Sequence, residues 1–135
     1  MNSRNPLDVH APVAAYSHQT EVGPGARWLV LSGQIGMRPD GGVPSDPAEQ
    51  LAVALENIRR NLAAAGMTVT DLVKLTFYLV DEITPAERRS VITDFLGAHL
   101  PATTLLYVSG LASPALRVEI DAWAAAEDTT TAPGL

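Results

Sequence analysis

At 135 residues, with 47% hydrophobic but only 5% aromatic residues, the chain suits one domain with a core of Leu, Val, Ile and Ala. Nine basic residues against fifteen acidic ones give a net charge of −6, which argues against a protein that coats nucleic-acid phosphates. Zero cysteines exclude disulfides, thiolate metal sites and a cysteine nucleophile, and the lack of a long apolar run points to a soluble cytoplasmic protein away from membranes.

Residues 1–12 contain Asn5-Pro6 and Ala11-Pro12, which favour extended or irregular backbone. Tyr16 to Val22 is a weak strand candidate, joined by Gly23-Pro24-Gly25 to a strong one from Arg27 to Ile35. Asp40-Gly41-Gly42 predicts a hairpin-type turn with a further short strand beyond it. Asp46-Pro47-Ala48-Glu49 then reads as a capping box with proline at the first helical position. The apolar stripe that follows is Leu51, Leu55, Ile58 and Leu62, with Gly66 as the left-handed stop.

Leu72 to Val80 predicts the next strand. Thr84-Pro85-Ala86-Glu87 repeats the helix start, with a shorter stripe of Val91, Ile92 and Phe95 that Gly97 and Pro101 end. Thr103 to Val108 and Leu116 to Ala124 complete the strands, and residues 126–135 are expected to form a disordered tail. The order β-β-(β)-α-β-α-β-β predicts an α+β fold: one mixed sheet with both helices on one face, in a single domain spanning 1–135.

Such a sheet leaves its second face to be explained. Alternation puts Leu116, Val118, Ile120 and Ala122 on one side of the last strand, and Arg117, Glu119, Asp121 and Trp123 on the other. The Arg27 strand is apolar on both sides, with Leu29 and Leu31 opposed to Trp28 and Val30. A solvated face would show polar alternation, so a sheet-to-sheet subunit interface is expected.

Several segments in fixed order then resemble one family. They are Tyr16-Ser17-His18, Leu31-Ser32-Gly33-Gln34-Ile35-Gly36, Gln50 to Ile58, and Leu62-Ala63-Ala64-Ala65-Gly66. Val73-Lys74-Leu75-Thr76, Val80-Asp81, Phe95, Pro101-Ala102 and Val118-Glu119-Ile120 follow. Together, over about residues 11–125, they resemble the reactive-intermediate deaminases, the RidA, YjgF or L-PSP family.

The resemblance implies a chorismate-mutase-like fold, a homotrimer with a central barrel, and clefts between subunits. It also implies hydrolysis of enamines or imines to a ketoacid and ammonia, with no cofactor. By position, Glu119 matches the carboxylate that holds the attacking water. Ser32 and Gly33 match the cleft wall, and Tyr16 matches the tyrosine at its mouth. On the residues alone, Glu119 could instead pair with Arg117, Ser32-Gly33 could simply end a strand, and Tyr16 could be edge packing.

One departure bears on substrate. The family's carboxylate-binding arginine follows Pro-Ala, and here that position is Thr103, whose hydroxyl offers neither charge nor fork. Leu105 makes the pocket less polar still. Arg89 is a candidate replacement cation, although Arg88 and Arg89 also read as a solvated helix face; Arg117 is a further candidate. The expectation is a deaminase acting on a small molecule that lacks, or does not rely on, an α-carboxylate. A non-catalytic metabolite-binding trimer is the alternative, and an L-PSP-type ribonuclease or translation inhibitor a further one, disfavoured by the acidic balance. His10, His18 and His99 lack metal-ligand spacing and read as surface or structural residues.

Overall fold

Alternating apolar residues on four strands build the sheet that organises the chain. The computed structural model describes residues 1–127. The strands are β3 (Arg27–Ile35), β4 (Leu72–Leu79), β5 (Ala102–Tyr107) and β6 (Val118–Ala126), in the order β3-β6-β4-β5. Only β4 and β5 are parallel, so the sheet is mixed and β3 and β5 are its edges. The predicted strands hold to within two residues at each end, and β6 runs to Ala126, the first residue of the expected tail. The rest of that tail from 128 onward lies outside the described residues.

The two helices, α1 (Pro47–Ala64) and α2 (Pro85–Leu96), cover one face of the sheet. Leu51, Leu55, Ile58 and Leu62 of α1 are buried against Leu75, Phe77, Val118, Ile120 and Ala122. This is the aliphatic core that the α1 stripe and the alternation of β6 predict. Gly66 stops α1 with φ +72°, the left-handed conformation that costs glycine little. No described helix is long and apolar enough to cross a membrane.

Three local expectations are corrected. Asp40-Gly41-Gly42 does turn the chain, closed by Arg38 N–H to Gly42 O at 2.9 Å, but no strand follows it. Pro44 carbonyl is instead bound by the Gln50 side chain, which leads the segment into α1. Asp46 is the N-cap of α1 with no side-chain capping bond; Pro47 presets the first helical φ and Asp46 O accepts the Gln50 amide. At α2 the Thr84 hydroxyl accepts from Glu87 N–H, but it donates to the Glu87 carboxylate, so the box is half made.

The N-terminal region departs most from expectation. Within the Tyr16 to Val22 segment only β2 (Gln19–Glu21) is a strand, and it pairs with β1 (Asn2–Arg4), outside the main sheet. Arg4 and Glu21, 2.6 Å apart, and the hydroxyls of Ser3 and Thr20 link the two strands across the ribbon. Ser17 then fastens this region to the start of β5: its hydroxyl donates to Leu100 O at 2.6 Å, and its amide to Pro101 O.

Gln50 is the one completely buried polar side chain among the described residues, and it joins the loop before α1 to the loop before β6. Its amide donates to Pro44 O and Ala115 O, and its oxygen accepts Arg117 N–H, all within 2.9 Å. Gly36 makes room for it: a Cβ there would lie 2.7 Å from Gln50 Cα. The pair fixes the end of β3 against α1 and the start of β6.

Candidate active site

β3 and β6 lose register between Leu31 and Gln34. Leu31 pairs with Ala122 and Gln34 with Ile120, so β3 carries one extra residue across this gap. A bulge of this kind leaves backbone out of the ladder and redirects side chains. Here it presents Ser32 and Gly33, both exposed, beside the half-buried Glu119. A Cβ on Gly33 would fall 2.7 Å from Glu119 Cδ, and closer to Oε2. Only glycine leaves room for the carboxylate to lie on the bulge. The sequence-predicted Glu119, Ser32 and Gly33 therefore meet.

Glu119 stands on the face away from the helices, where its cross-strand neighbour is Tyr78. Two residues along, Asp121 accepts a hydrogen bond from the Tyr78 hydroxyl at 2.9 Å. That bond, with burial and the nearby charges of Asp121 and Glu119, raises the Tyr78 pKa. Tyr78 was absent from the sequence-derived site. Its signal was available in the alternation of β4, which puts Lys74, Thr76 and Tyr78 on the uncovered face. Arg117 does not serve Glu119: its guanidinium lies 3.3 Å from Asp81.

The remaining predicted residues meet elsewhere. Thr103 pairs with Leu75 and Leu105 with Phe77, so both side chains emerge on the helix-covered face, at the β5 edge. There a cavity of about 590 Å³ opens between α2, β5 and the Val13–Tyr16 segment. Tyr16, Thr103 and Leu105 line it, and so do Arg88 and Arg89. Both arginines thus border the cavity, Arg88 half-buried and Arg89 exposed to solvent. Their turn of α2 overhangs β5, because Pro85, Arg88, Arg89 and Ile92 share one helix face.

The Ser17 anchor explains how Tyr16 comes to this cavity. It ties the Tyr16 backbone to the residues immediately before β5. The Tyr16 hydroxyl accepts Val13 N–H at 3.3 Å and so keeps its proton to donate. Its ring meets His18 edge-on, and His18 meets His10 in the same way. His99 bonds Leu72 O at 2.8 Å. Among the described residues no cluster of three or more His, Cys, Asp or Glu side chains is arranged to hold a metal.

Two candidate half-sites thus lie on opposite faces of the sheet. The first holds a carboxylate over an exposed bulge. The second is a concave pocket with hydroxyls, apolar walls and guanidinium groups.

Comparison with known proteins matches residues 8–126 to the sequence model of the endoribonuclease L-PSP family. A 2-iminobutanoate/2-iminopropanoate deaminase of Rattus norvegicus is 36% identical over 124 residues, covering 90% of this chain and 88% of its own. A RutC family protein of Pyrococcus horikoshii is 35% identical over 113 residues, covering 82% of this chain and 86% of its own. Among solved structures, a Rid family protein of Yersinia pestis superposes with TM-score 0.81 at 27% identity, covering 93% of this chain and 98% of the other. Escherichia coli TdcF with bound serine superposes with TM-score 0.69 at 27% identity, covering 94% and 97% respectively.

Proposed function

Because the chain belongs to the RidA/YjgF/L-PSP family, we propose that it is a cofactor-independent deaminase that hydrolyses reactive imines and enamines and releases ammonia. The observation that carries this reading is the Glu119 carboxylate lying on the Ser32-Gly33 bulge, open to solvent and free of Arg117. An imine carbon is already electrophilic, so its hydrolysis needs a placed water and a proton carrier.

Glu119 holds the water and takes its proton as oxygen bonds to the imine carbon. Glu119 returns that proton to the nitrogen, giving a neutral carbinolamine, and then carries the carbinolamine hydroxyl proton to the same nitrogen; the C–N bond breaks, ammonia leaves as the carbonyl forms, and Glu119 is left as the carboxylate it began as. An enamine enters the same sequence after protonation at carbon. Ser32 and the Gly33 backbone serve the oxygen, while Tyr16 covers the substrate and donates from its hydroxyl.

The reading requires the two half-sites to meet, and contact between chains is the arrangement that brings them together. We take the protein to be a homotrimer whose open sheet faces line a central barrel, with Glu119 of one protomer completing the pocket of the next. Support comes from Trp28, Val30 and Trp123, which keep 50%, 56% and 46% of their surface exposed on the open face of a single chain. Thr103 cannot grip an α-carboxylate as an arginine fork does, so the substrate is one that does not rely on that grip.

The test is ammonia release from freshly generated 2-iminobutanoate and from neutral imines. Glu119→Gln is expected to lower turnover by about 10²–10⁴-fold, with circular dichroism and sedimentation unchanged. Wild-type turnover in Glu119→Gln, a monomer in sedimentation, or no ammonia from any imine with an intact trimer would each defeat the proposal.

A further inference from the structure

The cavity between α2 and β5 has an unusual charge for its surroundings. The chain as a whole is acidic at −6, yet no Asp or Glu lines this cavity, while two adjacent arginines do. Elsewhere Arg4, Arg38, Arg59, Arg60 and Arg117 each lie within ion-pair distance of a carboxylate. Arg88 and Arg89 have no such partner among the described residues; Arg27 has none either, but its guanidinium donates to Ala65 O at the end of α1. They also sit near the positive end of α2, where the helix dipole disfavours cations. Two like charges in that position raise the energy of the empty site and lower that of a site holding an anion.

The shape restricts which anion. Arg88 is half-buried and steadied by Nη1 donating to the Tyr107 hydroxyl at 3.2 Å, so its remaining donors stay free. Beside the two arginines the lining includes Phe77, Ile92 and Leu105, apolar surface that suits the body of an organic anion. Thr103, on β5, lines the same space without charge.

We infer that this cavity binds an apolar organic carboxylate, its acid group held from the helix by Arg88 and Arg89 and its body against Phe77, Ile92 and Leu105. Placing the cation on α2 moves the anion away from β5. The preferred substrate is therefore an apolar imine whose carboxylate is bound at the helix wall. As a statement about substrate this rests on the deaminase reading; as a binding site it does not.

Calorimetric titration of the intact protein with 4-phenylbutyrate and with the neutral 4-phenylbutyramide tests the site without any chemistry. The acid is expected to bind about tenfold or more tighter than the amide. Arg89→Met and Arg88→Met should each weaken the acid by about 5- to 20-fold and leave the amide unchanged, with Arg→Lys at either position restoring part of the loss. Added salt should weaken the acid alone. Equal affinity for acid and amide, or undiminished acid binding in the Arg88→Met/Arg89→Met double variant with native circular dichroism, would overturn the inference. Charge-selective binding in a wild-type protein that deaminates no imine would uphold the site and defeat the deaminase; deamination without such binding would do the reverse.

Discussion

The two faces of β6 obey different rules. Val118, Ile120 and Ala122 are completely buried beneath the helices, while the alternate residues Glu119 and Asp121 stay half-open and Trp123 keeps 46% exposure. On the covered face every side chain is accounted for by aliphatic packing within one chain. On the open face it is not: a carboxylate, a hydrogen-bonded tyrosine and two tryptophans share a surface that the helices never reach. Trp28 and Trp123 meet edge to face there, with ring centroids 6.1 Å apart. On β6, residue identity on the covered face follows aliphatic packing, and on the open face it does not.

That contrast is broken most forcefully from the covered side. Gln50→Leu keeps volume and burial but abandons Pro44 O, Ala115 O and Arg117 N–H together. Each orphaned buried group costs about 1–3 kcal/mol. A total loss of about 3–5 kcal/mol is expected, since the exposed Ala115 can regain water. Urea denaturation reads it directly. Should the midpoint not move, the three bonds are not what holds these loops together.

A smaller effect, opposite in kind, is expected on the open face. Gly33→Ala places a methyl group where the Glu119 carboxylate lies. The obstacle is the mobile end of a side chain, so the carboxylate swings away and the fold holds. Turnover should fall by about 10- to 100-fold through misplacement of the base, with the urea midpoint nearly unchanged. A variant that unfolds at ordinary temperature would mean that the bulge serves the sheet and not the site.

The same division governs what could be read from the residues alone. The covered face was legible because burial imposes a period: the α1 stripe and the β6 alternation specify which side chains point inward, whatever the loops do. The outward register of Glu119 was also legible from the alternation of β6, whereas Ser32 and Gly33 stood out only through the family resemblance, and they lie within β3 instead of ending it. The bulge that joins them was not, since one extra residue on β3 leaves no mark in hydrophobic pattern. Nor was the side of the sheet that Arg88 and Arg89 face. A weak helical stripe leaves the rotation of α2 undetermined, and packing over β5 decides it. The strand expected after Asp40 failed for a related reason: Gln50, a residue inside the next helix, supplies the hydrogen bond that such a strand would have sought from a neighbour.

The slightest of these effects concerns Tyr78, and it tests whether the open face is polar by design. Its hydroxyl donates to Asp121, and burial with the charges of Asp121 and Glu119 further opposes ionisation, so its pKa lies above the ordinary tyrosine value in the folded chain. The folded protein then keeps a proton that the unfolded chain gives up near pH 10. Stability from this group is complete below that pH and declines as pH rises through the folded value, because unfolding there releases a proton. Tyr78→Phe should remove this part of the alkaline decline and flatten the profile of urea midpoint against pH above about 10. Identical profiles would mean that the Tyr78–Asp121 bond does not persist in solution, and the carboxylates of the open face would then lack the ordered neighbour that sets their surroundings.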